Sequence, residues 1–394
     1  MKFQKLFSLT AVAIAILAIS VTSCSKDEGV QVPGTVPPTP ETPDVIELAF
    51  VGSETCGSCH ADHYERFEKS GHPYKLNKIN GAQPSIPFTT DEGLDIPTPA
   101  GYDWGDLTYM IGGYGWKARF LDDKGYIITQ FSDTQYNLAD GSQVAYHAGD
   151  PVGTKKYDCG RCHTTGWKHV DDGGEPKDGL EGMAGHFYEG GVHCEECHGM
   201  GSVHVATQDA SDITLDDSSL MCGRCHTRNA DRSIAAKGGF VKHHEQYDEW
   251  LVSGGHQESG IGCNTCHDPH SSTKYDAIAP GQGVTKSCTD CHSSYNGDKH
   301  DEYAIDCVTC HMPLLAKSAI KTGDFKGDIK THQFRINPSS QYTQFNAEGN
   351  LSNNDGIALD FACYQCHKDV NGKGGNASQQ TKLRLASRAF NFHK

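Results

Sequence analysis

The chain has 394 residues, with 34 Lys and Arg against 50 Asp and Glu, a formal net charge of −16, and 36% hydrophobic residues beside 44 Gly. The acidic balance excludes a nucleic-acid-binding surface and electrostatic adsorption to anionic lipid. The thin aliphatic content excludes an ordinary large apolar core, so something other than Leu, Ile and Val must fill the interior.

Lys2 and Lys5 precede an apolar run from Leu9 to Val21 and then Thr22-Ser23-Cys24. A basic start, a short apolar stretch and small residues before a cut describe a secretory signal peptide, residues 1–23, too short to span a bilayer. Val21-Thr22-Ser23-Cys24 resembles a bacterial lipoprotein lipobox, which would make Cys24 the acylated N-terminus and the membrane anchor. Ser25-Lys26-Asp27-Glu28 resembles the charged tag of surface-exported lipoproteins. The expected address is therefore the outer membrane, at the cell surface or facing the periplasm. Residues 24–49 read as the lipidated Cys and a linker: Pro33, Pro37, Pro38, Pro40 and Pro43 favour extended polyproline II. At about 3.1 Å per residue, 15 such residues hold the body roughly 45 Å from its anchor.

From residue 50 to 394 one pattern dominates. Cys-x-x-Cys-His occurs eight times: Cys56, Cys59, His60; Cys159, Cys162, His163; Cys194, Cys197, His198; Cys222, Cys225, His226; Cys263, Cys266, His267; Cys288, Cys291, His292; Cys307, Cys310, His311; and Cys363, Cys366, His367. Composition alone predicts roughly 0.04 copies. The spacing is that of c-type haem attachment, with two thiols forming thioethers to the vinyl groups and the next His ligating iron. Zinc ribbons share the Cys-x-x-Cys pair but need no His after it. A redox disulfide motif stands beside a βαβ pattern that is missing here. Eight covalent haem c groups are expected, one per roughly 43 residues, and they would be the core.

Intervals between successive motif histidines are 103, 35, 28, 41, 25, 19 and 56, too irregular for equal repeats. The first interval holds the one clear β pattern. Trp116 to Phe120 alternates, Asp122 to Gly125 turns, and Tyr126 to Phe131 returns. A hairpin insertion at about residues 100–137, covering the first haem or shielding a partner surface, is expected. One duplication is visible: Tyr64-x-x-Phe67-x-x-Ser70-Gly71-His72 matches Tyr247-x-x-Trp250-x-x-Ser253-Gly254-Gly255-His256. Each reads as a short helix stopped by Gly, with a His emerging beyond it. The expected fold is mainly α with much irregular loop, packed on haem.

Fourteen His lie outside the motifs against eight iron positions needing a second ligand. The candidates are His72, His147, His193, His204, His256, His270, His300 and His332, with His186 competing with His193. His204 and His270 follow motif histidines too closely to reach round their own macrocycle, so each should ligate a neighbour. His63, His169, His243, His244 and His393 are set aside.

Cys56 to His72, Tyr157 to Trp167, Cys194-Glu195-Glu196-Cys197-His198-Gly199-Met200-Gly201-Ser202-Val203-His204, Cys307 to Pro313, and Gly327 to Ile336 with Thr331-His332-Gln333-Phe334-Arg335 resemble the multihaem cytochromes related to hydroxylamine oxidoreductase and the pentahaem nitrite reductases. That resemblance implies close haem pairs, mostly with two His ligands, in a loop-rich body. The Cys-x-x-Cys-Lys motif of the nitrite reductases is missing here, and no Tyr stands out as a crosslinking residue. Two functions follow as expectations. One is electron transfer from membrane or periplasmic donors to redox partner proteins or extracellular acceptors, without turnover. The other is an oxidoreductase acting on a small nitrogen or sulfur compound of the nitrite, hydroxylamine or tetrathionate class at one five-coordinate haem.

Overall fold

Each motif occupies a single helical turn or its edge. The turns are Ser53–Gly57, Gly160–His163, Cys194–His198, Ser219–Gly223, Cys263–Cys266, Cys288–Asp290, Cys307–His311 and Leu359–Cys363. Helical winding puts residues three apart on one face, so both thiols of a motif point the same way and the His follows beside them. The computed structural model describes residues 46–275, 283–293, 299–369, 371–375 and 379–393. The expected signal peptide, Cys24 and the linker as far as residue 45 lie outside the described residues. Among the described residues the longest helix is Lys382–Ala389, eight residues. Turns this short do not persist alone and depend on what they pack against. Most of the body is loop.

The first inter-motif interval builds more β structure than a hairpin. Strands β1 (Leu76–Lys78), β2 (Tyr109–Gly112), β3 (Lys117–Leu121), β4 (Gln135–Asn137) and β5 (Gln143–Val144) form an antiparallel sheet in that order. The sheet thus spans residues 76–144, beyond the expected 100–137. The expected turn is there: Gly125 N–H donates to Asp122 O at 3.0 Å and Asp122 N–H to Tyr126 O at 2.9 Å. The returning chain departs from the pattern after one bridge, Leu121 to Ile127. Ile127 N–H donates to Lys155 O at 2.9 Å, which draws the segment away and leaves the edge of β3 to β4.

Both sheet faces are covered, as its side chains show by alternating between two apolar clusters with a period of two. Tyr109 and Ile111 join Leu76, Leu121, Tyr157, Met183 and Phe187, while Met110 joins Ile86, Ile96, Ala118, Phe120 and Ile128. Along β3 the residues that alternate with Ala118 and Phe120 are charged: Lys117 and Arg119. A third cluster, with Phe240, Val241, Leu315, Ile357 and Phe361, sits under a small sheet of Ala236–Lys237, Phe240–Lys242 and Ala316–Lys317.

The duplication extends beyond the helix-Gly-His pattern. The helices Ala61–Phe67 and Gln246–Val252 each end just before the shared Ser-Gly stop. Tyr64 packs so closely on Gly57 that a Cβ there would lie 2.6 Å from its ring, and Tyr247 repeats this on Gly223 at 2.7 Å. Any side chain at the first x of these two motifs would displace the ring. Upstream, Ser53 Oγ accepts from Cys194 N–H at 3.4 Å and Ser219 Oγ from Cys263 N–H at 3.0 Å. Two copies of one unit therefore each dock a later motif by its first Cys.

A candidate haem array

None of the sixteen motif cysteines is joined to another in a disulfide. The complete Cys, Cys and His sets of seven motifs, with Cys162 of the remaining one, line one connected cavity of about 4430 Å³. An ordinary small-molecule site holds about 300–1,000 Å³, so the space suits several large groups. Among the described residues no three His, Cys, Asp or Glu side chains converge on a common metal position, which removes the geometric basis for zinc ribbons.

The imidazoles give the sharpest test of fit. A metal–imidazole bond is about 2.0–2.1 Å, so two rings across one iron stand about 4 Å apart nitrogen to nitrogen and about 6 Å between centres. Every motif His faces a second imidazole at that spacing: His60 and His204 at 6.3 Å, His226 and His72 at 6.4 Å, His163 and His244 at 6.1 Å, and His198 and His270 at 6.2 Å. His292 faces His256 at 6.0 Å, His267 faces His332 at 6.1 Å, His367 faces His300 at 6.1 Å, and His311 faces His393 at 5.7 Å. His244 also stands 6.0 Å from His226. His226, however, already has His72.

Ring hydrogen bonds point the same way. Nδ1 of His198 meets Thr214 O at 2.8 Å, that of His226 meets Gln246 Oε1 at 3.2 Å, that of His267 meets Gly283 O at 3.3 Å and that of His311 meets Phe334 O at 2.7 Å. On the facing side His204 Nδ1 meets Asp209 O at 2.9 Å and His270 Nδ1 meets Asp268 Oδ1 at 3.0 Å. A donor at Nδ1 fixes the tautomer and leaves Nε2 bare for iron. Burial pushes His72 and His332 down to about 3, so these rings are neutral and need shed no proton to ligate. Burial alone would raise the Asp268 carboxyl. The His270 amide, Arg66 and the His270 ring outweigh it and hold the group below its ordinary value.

Thiols from different motifs act on one another's ionisation. Cys56 is linked in this way to Cys194, Cys162 to Cys225, Cys222 to Cys263, and Cys288 to Cys307. Cys197 acts on both Cys222 and Cys225. Burial and then Cys288 and Cys291 raise the Cys266 thiol, and burial and then Cys310 raise Cys363. Numbering the motifs in chain order, these electrostatic neighbours run 1–3–4–5–6–7–8, with motif 2 branching from motif 4.

The branch has its own electrostatics. Burial first, then Lys75, Arg119, Arg228 and Lys117, push His163 down to about 3. Burial lowers Lys117 to about 7 and Lys75 to about 8. Arg119 lies over the Tyr146 ring at 3.6 Å and donates to Gln135 Oε1 at 2.9 Å. Arg228 donates to His243 O at 2.8 Å. His163 Nδ1 is buried and, among the described residues, has no hydrogen-bond partner. Of the β3 side chains, Lys117 and Arg119 act electrostatically on His163 of the second motif.

Two expected ligands fall elsewhere. His147 is exposed, with Nδ1 on Asp150 Oδ2 at 2.9 Å. His193 has both nitrogens engaged, Nδ1 with Ser53 Oγ at 3.1 Å and Nε2 with Gly190 O at 2.8 Å. Neither ring faces a motif His. His186, its competitor, is exposed. Their places opposite His163 and His311 belong to His244 and His393, both set aside from sequence. His393 carried a readable signal: like His72 and His256, it follows a short helix, Lys382–Ala389. His244 carried none.

Paired thiols on helical turns, facing imidazoles at metal-spanning distance and a large cavity lined by the motifs define a class: the chain is a multihaem c-type cytochrome. Residues 256–297 match the doubled CXXCH motif family and residues 130–199 match the cytochrome c554 and c-prime family. The dissimilatory sulfite reductase MccA of Wolinella succinogenes is 29% identical over 171 residues, covering 33% of this chain and 23% of that protein. The chain therefore matches under a quarter of that relative's length. The outer cell wall cytochrome OcwA shares the fold with a TM-score of 0.53 at 15% identity, covering 86% of each chain. The octahaem sulfite reductase MccA structure does so with 0.52 at 20%, covering 80% of this chain and 65% of that one.

Proposed function

We propose that the chain binds eight haem c groups, each held between a motif His and its facing imidazole, and serves as an electron-transfer protein. It would take electrons from membrane or periplasmic donors and deliver them to outer-membrane or extracellular acceptors, tethered to the outer membrane through Cys24. The observation that carries this is the second imidazole opposite all eight motif histidines. Bound haem c supplies one-electron transfer, with potential set by axial ligands and surroundings. The protein's part is to hold neutral imidazoles in place, to bring thiols of successive motifs near one another, and to stand the series on a spacer. Likeness in fold to an outer cell wall cytochrome fits that placement. Intact mass tests the count: the mature chain should exceed its polypeptide by eight haems, with an oxidised spectrum dominated by low-spin signals. A smaller excess would overturn it.

The surroundings of His163 favour a second reading, in which this position also takes a small inorganic anion. Lys75, Arg119, Arg228 and Lys117 all act electrostatically on that ring, and the relation to a sulfite reductase suggests an oxyanion of the sulfite or nitrite kind. Lys117 and Arg119 would bind it and the low dielectric would strengthen the attraction. Titrating the oxidised protein with sulfite or nitrite should alter one haem signal in eight. Charge-assisted hydrogen bonds contribute about 1.5–3 kcal/mol each, so Lys117→Met and Arg119→Gln should each weaken that response roughly ten- to hundredfold. An unaltered response would assign these cations to haem propionates alone.

A further inference from the structure

The His270 ring is set apart by what holds it. It stands 6.2 Å from His198 with the two planes only 3° apart, and its Nδ1 donates to a carboxylate, Asp268 Oδ1, at 3.0 Å. His204, by contrast, meets a neutral backbone carbonyl. Asp268 is itself fixed from several sides. Its Oδ1 accepts from His270 N–H at 2.9 Å, its Oδ2 accepts from Ser271 Oγ at 3.3 Å, and Arg66 pairs with Oδ2. The side chain is 17% exposed, so water screens the interaction poorly. Arg66 also reaches His63 Nδ1 at 3.0 Å, and the His63 ring lies 4.7 Å from that of His270.

We infer that Asp268 is a positioning residue that lowers the reduction potential of the haem held by His198 and His270, and that Arg66 opposes it. This rests on the ligand pairing proposed above. A carboxylate drawing on Nδ1–H makes the imidazole a stronger donor through Nε2, which favours the oxidised iron. Its negative charge acts in the same direction. Arg66 competes for that carboxylate and adds a positive charge, so it works the other way. The step between the His60 and His226 positions thus becomes adjustable by two surface-proximal side chains outside the Cys-x-x-Cys-His motifs.

The test is a redox titration of the full holoprotein followed by optical and EPR spectra. Asp268→Asn keeps the shape and removes the charge. It should shift one haem in eight toward easier reduction by about tenfold, or 59 mV for a one-electron couple, with that haem still low-spin. Arg66→Gln should shift the same haem the opposite way, and Asp268→Glu should restore part of the original value. Loss of folding would not give opposite signs from two substitutions in one ion pair. The haem that moves must also be the one that turns high-spin in His270→Ala. No shift, an equal shift of several haems, or shifts of the same sign would overturn the role of Asp268. If His270→Ala leaves every haem low-spin, it is the ligand pairing that fails.

Discussion

Replacing Cys222 and Cys225 together by Ala is expected to remove one haem and to slow electron passage from one end of the array to the other by more than tenfold. That factor corresponds to about 1.4 kcal/mol of added barrier. The fourth motif is where the neighbouring thiols converge: Cys222 with Cys263, Cys225 with Cys162, and Cys197 acting on both. In the series of neighbouring thiols, motifs 1 and 3 on one side and motifs 5 to 8 on the other are linked through it. The matching variant at the branch, Cys159 and Cys162 to Ala, also removes one haem but should leave the end-to-end rate unchanged. Mass spectrometry counts the loss, and stopped-flow reduction together with protein-film voltammetry reads the rate. If both variants slow transfer equally, the branched order is wrong; if neither does, the series does not conduct in line.

How much of this was legible in the chain varies with the length scale of the signal. The thiols and their adjacent histidines sit within five residues, and a single helical turn fixes their relation, so the motifs could be read directly. The duplicated helix-stop-His pattern was legible for the same reason, and His72 and His256 each follow the helix that the pattern marks. Docking of Cys194 on Ser53 and of Cys263 on Ser219 joins residues 141 and 44 positions apart, and no local pattern announces it. The alternation from Trp116 to Phe120 announces a strand but not what Lys117 and Arg119 meet. Arg119 packs on Gln135 and Tyr146, residues that only the later chain brings alongside. His147 and His193 were plausible by composition alone, since a free His and a hydrogen-bonded one look alike in sequence. His244 lies at φ 72°, a left-handed backbone uncommon outside Gly, and no propensity argument would place a ligand there.

Single substitutions of the facing histidines separate the two ligand lists. His393→Ala should convert one haem in eight from low-spin to high-spin. Its ring faces His311 at 5.7 Å, with the two Nε2 atoms 3.5 Å apart, and Ala offers no donor to replace it. His244→Ala should do the same to a different haem, the one at His163, because His72 remains to serve His226. His147→Ala should leave the spectrum unchanged, since that ring is solvent-facing and tied to Asp150. His193→Ala should also leave spin state unchanged while lowering stability by about 1–3 kcal/mol, as Ser53 Oγ and Gly190 O lose a buried partner. EPR and near-infrared absorption read the spin state, and chemical unfolding reads the stability. A high-spin haem in the His147 or His193 variant, with none in the His393 variant, would return the assignment to the sequence-based list. It would also mean that ring spacing near 6 Å does not mark iron ligation here, and the eightfold pairing on which the conducting series rests would have to be rebuilt from other contacts.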